Sequence, residues 1–548
     1  MWKKHPKALP FLFFSEMWER FGYYLMIGIF TLYLKDVKAG YSMTEAESAD
    51  LYGTFIALVF LTPFIGGLLA DRYLGYRRSI IMGGLMMGIG YCLMSVHNIT
   101  ALYTSMTLVI VGNGFFKPNI STLLGNVYTT PQYIQQKDDG YNIFYMGINI
   151  GAFICNFFGA ALYIVYGWGA AFLAAGVGMF LGVGIFLAGT RHYKAFDVKK
   201  GVTPGDMSMT RITMMILVPS IIAGVIGWIV PTQLLGAPLV GSTSTDAFLF
   251  ACIPVVYFYT NLYVRAKQEE KRPIAALLAI FAVVVMFWAV FKQNGSALNT
   301  WADRYTNREV TGTAQKIFDK LKFSQSVIYK KDSVAVYDEQ FRLQKADGKV
   351  LKELNYPVYF KNVAEENKPQ DGKSFSLWAT NLSQSINPGW VIILTPLIVA
   401  FFTFLRRRNK EPSTATKIAF GLFMSALSAL VMVGAVYASH NGGNKASVLW
   451  LISSYGVITI GELLLSPMGL SLVSKLSPVR ITSLMMGGWF LATSIGNKLS
   501  GVLSSMWDQY NHKAGFFWLN FGLLMVATIM CFAMLKWLNR IMKEKGVN

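Results

Sequence analysis

Apolar runs long enough to cross a hydrocarbon layer recur along the whole chain, at 9–34, 50–70, 79–96, 100–118, 141–164, 169–189, 211–231, 246–264, 273–300, 386–405, 415–438, 447–474, 481–506 and 515–538. A helix needs about 20 residues to cross a bilayer. Lipid offers the backbone no hydrogen-bond partner, so only helices and closed barrels span it. Runs of this length predict an all-α integral membrane protein with about fourteen transmembrane helices. A composition that is 54% hydrophobic and 14% charged agrees. Pro63, Pro219, Pro254, Pro396 and Pro467 interrupt several runs, which neighbouring helices make tolerable in a membrane.

The net charge of +20 would suit a nucleic-acid partner, but its distribution does not. Basic clusters sit in short connections: Lys3-Lys4, Arg77-Arg78, Lys199-Lys200, Lys267 to Arg272, Arg406 to Arg408, and Lys543 with Lys545. With the N-terminus inside, these fall on the cytoplasmic side. Most of the opposite loops (His97 to Thr100, Tyr166 to Gly169, Pro231 to Asp246) are nearly uncharged. This asymmetry orients a multi-pass membrane protein. It predicts both termini in the cytoplasm and the lipid bilayer as partner, with no nucleic acid. The first apolar run is too long for a cleavable signal, and no small-residue cleavage site follows it. The four cysteines lie far apart in apolar runs and read as packed thiols, with no metal-ligand spacing.

Six runs, then two, then six, predict two helical bundles joined by an extra hairpin. The boundaries read as 1–190 for the first bundle, 191–272 for the cytoplasmic linker and hairpin, and 273–548 for the second bundle. The exception to the apolar pattern is 304–385, polar and rich in both charges. Ser333 to Tyr337, Gln340 to Gln344 and Pro357 to Phe360 alternate like short strands, with a turn at Ala346 to Lys349. They predict a small extracytoplasmic β-rich insert, a disordered insert being the competing reading.

The first run carries charge where hydrocarbon is expected. Glu16, Glu19, Arg20, Tyr23 and Tyr24 fall at i, i+3, i+4, i+7 and i+8, on one helix face. An ion at mid-membrane costs roughly 2.5–3.5 kcal/mol or more, so such residues pair or face a wet cavity. That points to a path for ions or polar solutes. Lys117 and Glu462 are further isolated charges deep in other runs. No Ser/His/Asp arrangement, metal-spaced cluster or phosphate loop occurs, so the chain does not read as an enzyme.

Several motifs together carry a family resemblance. Gly66 to Arg78 resembles the loop between the second and third helices of the major facilitator superfamily. Glu16-x-x-Glu19-Arg20-Phe21-x-Tyr23-Tyr24, Gly112 to Asn119, Tyr141 to Phe153, Gln384 to Pro388, and Gly461 to Pro467 followed by Trp489-Phe490 resemble, in this order, the proton-dependent oligopeptide transporters. The resemblance implies the major facilitator fold of two six-helix bundles, with the hairpin usual in bacterial members, and a place in a bacterial inner membrane. It implies alternating-access symport of di- and tripeptides with protons, with no cofactor. A monomer is the expected functional unit.

A peptide zwitterion needs a cation at one end and an anion at the other. Arg20 and Lys117 are expected to hold its carboxylate and Glu462 its α-amine, in line with the family pattern. Asn149 and Asn387 supply donors and acceptors for the peptide amides, or else bond helix to helix. Tyr23, Tyr24, Trp288 and Trp489 are expected to wall side-chain pockets, and Thr493 stands where relatives often have Ser. None of the five histidines sits mid-span, so carboxylates must carry the proton. Glu16 and Glu19, coupled to Arg20 and Lys117, suit that role, with Asp303 a further candidate for an outer gate or second proton site. The chain departs from the family at Ile27, Phe60 and Lys292, where relatives often have Arg, Tyr and Glu. These leave proton path and substrate preference open, and another small solute (nitrate, a modified amino acid or a peptide-like drug) is the alternative.

Overall fold

The computed structural model describes residues 4–198, 213–478 and 481–544. Lys3, Lys199-Lys200, the start of the 211–231 run, the end of the 475–480 turn and Lys545 lie outside the described residues. The long helices are α1 (Ala8–Lys35), α2 (Glu45–Leu69), α3 (Tyr76–Leu93), α4 (Ile99–Val127), α5 (Lys137–Tyr166) and α6 (Trp168–Ala188). There follow α7 (Val218–Leu235), α8 (Thr243–Val264), α9 (Gln268–Phe291), α10 (Ile386–Arg407), α11 (Thr414–Ala438), α12 (Val448–Leu476), α13 (Thr482–Ser505) and α14 (Lys513–Glu544). Among the described residues, 11 helices are long and apolar enough to cross a membrane. Charged α1 and the glycine-bearing α3 and α13 are of similar length.

Local chemistry sets the helix ends. Thr44 and Glu47 close a reciprocal capping box at the start of α2, satisfying backbone donors that a helix N-terminus leaves free. Asn98 and Ser242 cap α4 and α8 through their side chains. The α2 rod runs on as a π turn, Ala70–Leu74, and stops at Gly75 with φ +81°, a conformation that favours glycine. Asp197, far along the chain, then accepts from the N–H groups of Tyr76 and Arg77 at 2.7 and 3.2 Å, capping α3.

The helices pack as two halves on the same plan. In the first, α1 lies against α5 and α6, α2 against α4, and α3 against α4 and α6. In the second, α9 lies against α13 and α14, α10 against α12, and α11 against α12 and α14. Each half has its own apolar core. The α7–α8 hairpin packs on itself, and α8 touches α2 and α13.

The seam between the halves is closed at one end. On it, α2 and α13 run together so tightly that a Cβ on Gly501 would stand 2.8 Å from the Gly53 Cα. Ser494 donates to the Ala57 carbonyl at 2.6 Å, and Thr31 to the Gly295 carbonyl at 2.7 Å. Asn156 donates to Ser385 at 3.2 Å. Thr31 and Gly501 lie in the last turns of α1 and α13, Gly53 in the first half of α2, Asn156 in the second half of α5 and Ser385 at the entrance of α10, all toward the end that bears residues 304–385, while Ser494 and Ala57 meet at the middles of their helices.

Three expectations are corrected, the strand at Gln340 to Gln344 among them. The ninth run is not one helix: α9 stops at Phe291, a 3-10 turn covers Lys292–Gly295, and a short helix resumes at Ala297–Arg304. Asn294-Gly295-Ser296 is the cause. The Asn294 side chain accepts from the Gly295 N–H at 2.9 Å in place of a helical bond, and Ser296 leaves the helical region at φ −127°, ψ −96°. Pro357 to Phe360 is likewise not a strand but the start of a 3-10 turn, Val358–Asn362. Tyr359 and Phe360 are both buried, and strand alternation cannot bury two consecutive side chains on one face.

Segment 304–385 contains a helix (Gly312–Leu321) and three two-stranded antiparallel sheets. They are β1 (Ser324–Ile328) with β6 (Ser374–Trp378), β2 (Asp332–Ala335) with β5 (Lys352–Asn355), and β3 (Lys345–Ala346) with β4 (Lys349–Val350). Gln340 to Gln344 forms no ladder; Leu343 makes one isolated bridge to Tyr337. The segment touches both halves: Gln325 reaches Tyr163 of α5, Lys345 reaches Glu47 of α2, and Asn362 donates to the Gly442 carbonyl beyond α11.

Candidate functional site

The α1 cluster is buried and internally paired. Arg20 donates to both oxygens of Glu19 and lies 3.3 Å from Glu16. Asn113 of α4 donates to Glu19 at 3.4 Å. The Arg20 guanidinium lies 5.1 Å from the centre of the Tyr23 ring, and Tyr23 packs edge-on to Tyr24. One Glu16 oxygen and the Tyr23 hydroxyl are buried without a hydrogen-bond partner. Glycines permit this crowding: Gly151 of α5 meets the backbone of α1 where a side chain would stand.

In the second half, Glu462 of α12 accepts from Asn387 of α10 at 3.1 Å, and Asn387 also donates to Thr459 at 2.8 Å. Glu462, Asn387, Lys117, Asn149 and Lys292 are all half-buried. Lys117 of α4 and Lys292 of the broken span place their ammoniums 4.2 and 5.2 Å from the centre of the same Phe60 ring. Attraction between a cation and a ring face rewards that placement.

Electrostatic reach ties the two halves together. Lys292 feels both Glu462 and Arg20, and Tyr24 feels Arg20 and Glu462. Tyr145 of α5 is 59% exposed, yet it lies within reach of Glu462, Arg20 and Glu16. A side chain that is open and surrounded by charges on both halves faces a cleft between them, not lipid.

The structure does not bring every expected residue to this cleft. Asn149 donates to the Tyr145 carbonyl of its own helix at 3.0 Å. Trp489 is 3% exposed and packs edge-on to Phe281, and Thr493 is buried with its hydroxyl on the Trp489 carbonyl at 3.0 Å. Both sit in the core of the second half. Trp288 is buried, 5.5 Å from Lys292, with its indole N–H unpartnered. Asp303 lies in a separate network, 3.1 Å from Arg304, 3.2 Å from Arg308 and 2.9 Å from Thr380.

Two features escaped the sequence reading. Asn113 lies inside the Gly112 to Asn119 motif, where an amide between glycines is a signal for close polar contact. A buried node also joins the halves to the hairpin: fully buried Lys498 of α13 pairs with Asp50 of α2 at 2.7 Å and donates to Ser244 of α8 at 2.8 Å. Lys498 in an apolar run was visible; its partner, far away in sequence, was not. An apolar cavity of 340 Å³ lies beside this node, lined by Leu58, Phe248 and Phe490 among others, and holds none of the charged residues.

Comparison with known proteins places these residues in context. Residues 77–317 and 372–519 match the model of the POT family. The chain is 30% identical to the dipeptide and tripeptide permease A of Escherichia coli, over 92% of this chain and 85% of that one. It is 27% identical to a di-/tripeptide transporter of Lactococcus lactis, over 91% and 89%. The solved structure of a POT peptide transporter in complex with alafosfalin superposes with a TM-score of 0.74 at 27% identity, covering 99% of this chain and 97% of that one. These relatives are transporters, not enzymes.

Proposed function

This chain belongs to the POT family, and we propose that it imports di- and tripeptides together with protons. The observation that carries the proposal is the opposition, across one cleft, of cations on the first half (Arg20, Lys117) and an amide-held acid on the second (Glu462). A peptide bridging them reports its position to both halves at once. The relatives' names supply the substrate class.

In this reading Arg20 and Lys117 take the peptide carboxylate and Glu462 the α-amine. Asn387 fixes the Glu462 carboxylate, and Asn149, bonded to its own helix, takes no direct part. Half-buried Tyr24 walls the cleft, with Tyr23 and Trp288 buried behind it. Trp489 and Thr493 act from behind, through the packing of α13. Gripping the termini and leaving side chains loosely held gives broad peptide selectivity.

Glu16 and Glu19 carry the proton. One Glu16 oxygen has no partner, and a proton there weakens the hold of Glu16 on Arg20 and frees the guanidinium for a substrate carboxylate. Alternating access follows from two similar halves hinged about a site between them. The orientation is that of the basic loops, with both termini cytoplasmic, fourteen helices across a bacterial inner membrane and the 304–385 insert outside. The unit is a monomer. Proteoliposomes holding an acid exterior and an inside-negative potential test this: they accumulate labelled dialanine, and collapsing the gradient abolishes the accumulation. Uptake indifferent to the gradient refutes proton coupling, and no uptake refutes the transport reading.

A further inference from the structure

The 340 Å³ apolar cavity beside the Lys498 node is a slot that runs along its helices. Thr54, Leu58, Leu61 and Ile65 of α2 line it at i, i+4, i+7 and i+11, one face of the helix. At about 1.5 Å per residue that face is roughly 16 Å long, which is the depth of one leaflet in a hydrocarbon core about 30 Å thick. The facing wall is one side of α8, from Ser244 to Tyr259. The gap exists because that side of α8 carries Ala247 and Ala251, and α13 presents Gly487 beside Phe490. The slot thus touches both halves and the hairpin, and it lies in the direction that acyl chains take in a bilayer.

Its chemistry disfavours water and polar solutes. Four hydroxyls stand on the wall, and three are already committed. Thr54 donates to the Asp50 carbonyl at 2.8 Å, Ser244 to the Asp50 carboxylate at 2.7 Å and Tyr259 to the Leu484 carbonyl at 2.6 Å. The fourth, on Ser220 of α7, is buried with no hydrogen-bond partner among the described residues. A buried water needs about two to four polar partners, whereas an apolar cavity of about 150 Å³ stays dry and takes up benzene. The slot also reaches the lipid-facing surface. Trp228 on its wall is exposed, and Cys252 borders a second groove on the outer face of α8 with exposed Ile253 and Val256.

We propose that this slot is a lipid site, holding one acyl chain of a bilayer phospholipid between the hairpin and the seam. The length, the direction, the apolar wall and the access from the bilayer all match a hydrocarbon chain. The chain fills the space that the small residues of α8 and α13 leave open. The hairpin is then fastened twice, by the Asp50–Lys498 node at one end and by the lipid chain along the slot. The inference is independent of the solute transported.

Vesicles of phosphatidylethanolamine and phosphatidylglycerol, carrying a phospholipid with a photoactivatable diazirine in one acyl chain, test this. The full-length protein is reconstituted and irradiated, and labelled residues are mapped by peptide mass spectrometry. Label is expected on Leu58 and Phe490 of the slot wall, as well as on exposed Ile221 of α7. Val255→Trp, which fills the slot, removes the label from Leu58 and Phe490 and leaves that on Ile221 unchanged. Leu61→Phe fills the slot from the opposite wall and does the same. Label on Ile221 with none on Leu58 or Phe490 in the wild-type protein overturns the inference. So does wall labelling that survives the filling substitutions, which would mark ordinary contact with surface lipid.

Discussion

Lys498 of α13 is wholly buried and pairs with Asp50 of α2 at 2.7 Å, joining the two halves of the molecule through one ion pair at the closed end of the seam. Ser242 and Ser244 of the α8 entrance donate to the same Asp50 carboxylate at 2.7 Å each. The hairpin is therefore fastened where the halves meet. Removing one partner of a buried pair leaves an uncompensated charge, whereas replacing both by apolar groups is far milder.

Asp50→Leu is accordingly expected to destabilise this closed form by about 3 kcal/mol. Lys498→Met costs a similar amount, and the double variant costs less than either alone. Melting temperatures of the purified variants check this. Cysteines placed at this end of α2 and α13 should become more reactive to a water-soluble thiol reagent in the single variants.

Glu16→Gln and Glu19→Gln separate coupling from binding. Each is expected to lose most gradient-driven accumulation of dialanine while keeping the greater part of its counterflow exchange, which needs no net proton movement. Paired assays on the same proteoliposomes read the two rates. Equal loss of both would place these residues in substrate binding alone.

Asp508 lies in the turn between α13 and α14, outside the spans. Burial, with a smaller contribution from Glu45, pushes its carboxyl up from 3.8 to about 6. The folded state then holds this proton more tightly than the unfolded chain does, so Asp508 costs stability progressively as pH rises from 3.8 through about 6. Asp508→Asn is expected to raise the melting temperature at roughly pH 8, corresponding to at most about 3 kcal/mol, and to leave it nearly unchanged near pH 4.

The spans and their order were legible because hydrophobic length is a direct demand of the bilayer, and helix ends such as Thr44 and Gly75 follow from local chemistry. The charged face of α1 was legible for the same reason: ionised side chains in hydrocarbon need a cause. The break at Lys292 was harder to see, since one Asn-Gly-Ser triplet had to be weighed against nineteen or more apolar neighbours' worth of helix signal. The Asp50–Lys498 pair and the Lys117–Phe60–Lys292 arrangement depend on which helices become neighbours, and periodicity within one helix carries no such information. Trp489 and Thr493 lie in the pattern of a site-facing helix, yet packing against Phe281 turns them into the core.

The most direct test of the central claim, that one peptide is held at its two ends by opposite halves, is a cycle of blocked peptides against blocked residues. Affinity is measured for dialanine, N-acetyl-dialanine and dialanine amide, in wild type, Glu462→Gln and Lys117→Gln. Acetylation should weaken binding about tenfold or more in wild type but little further in Glu462→Gln, and amidation should do the same with respect to Lys117→Gln. If each block costs as much in its matching variant as in wild type, the two residues do not grip the two ends, and the account is wrong.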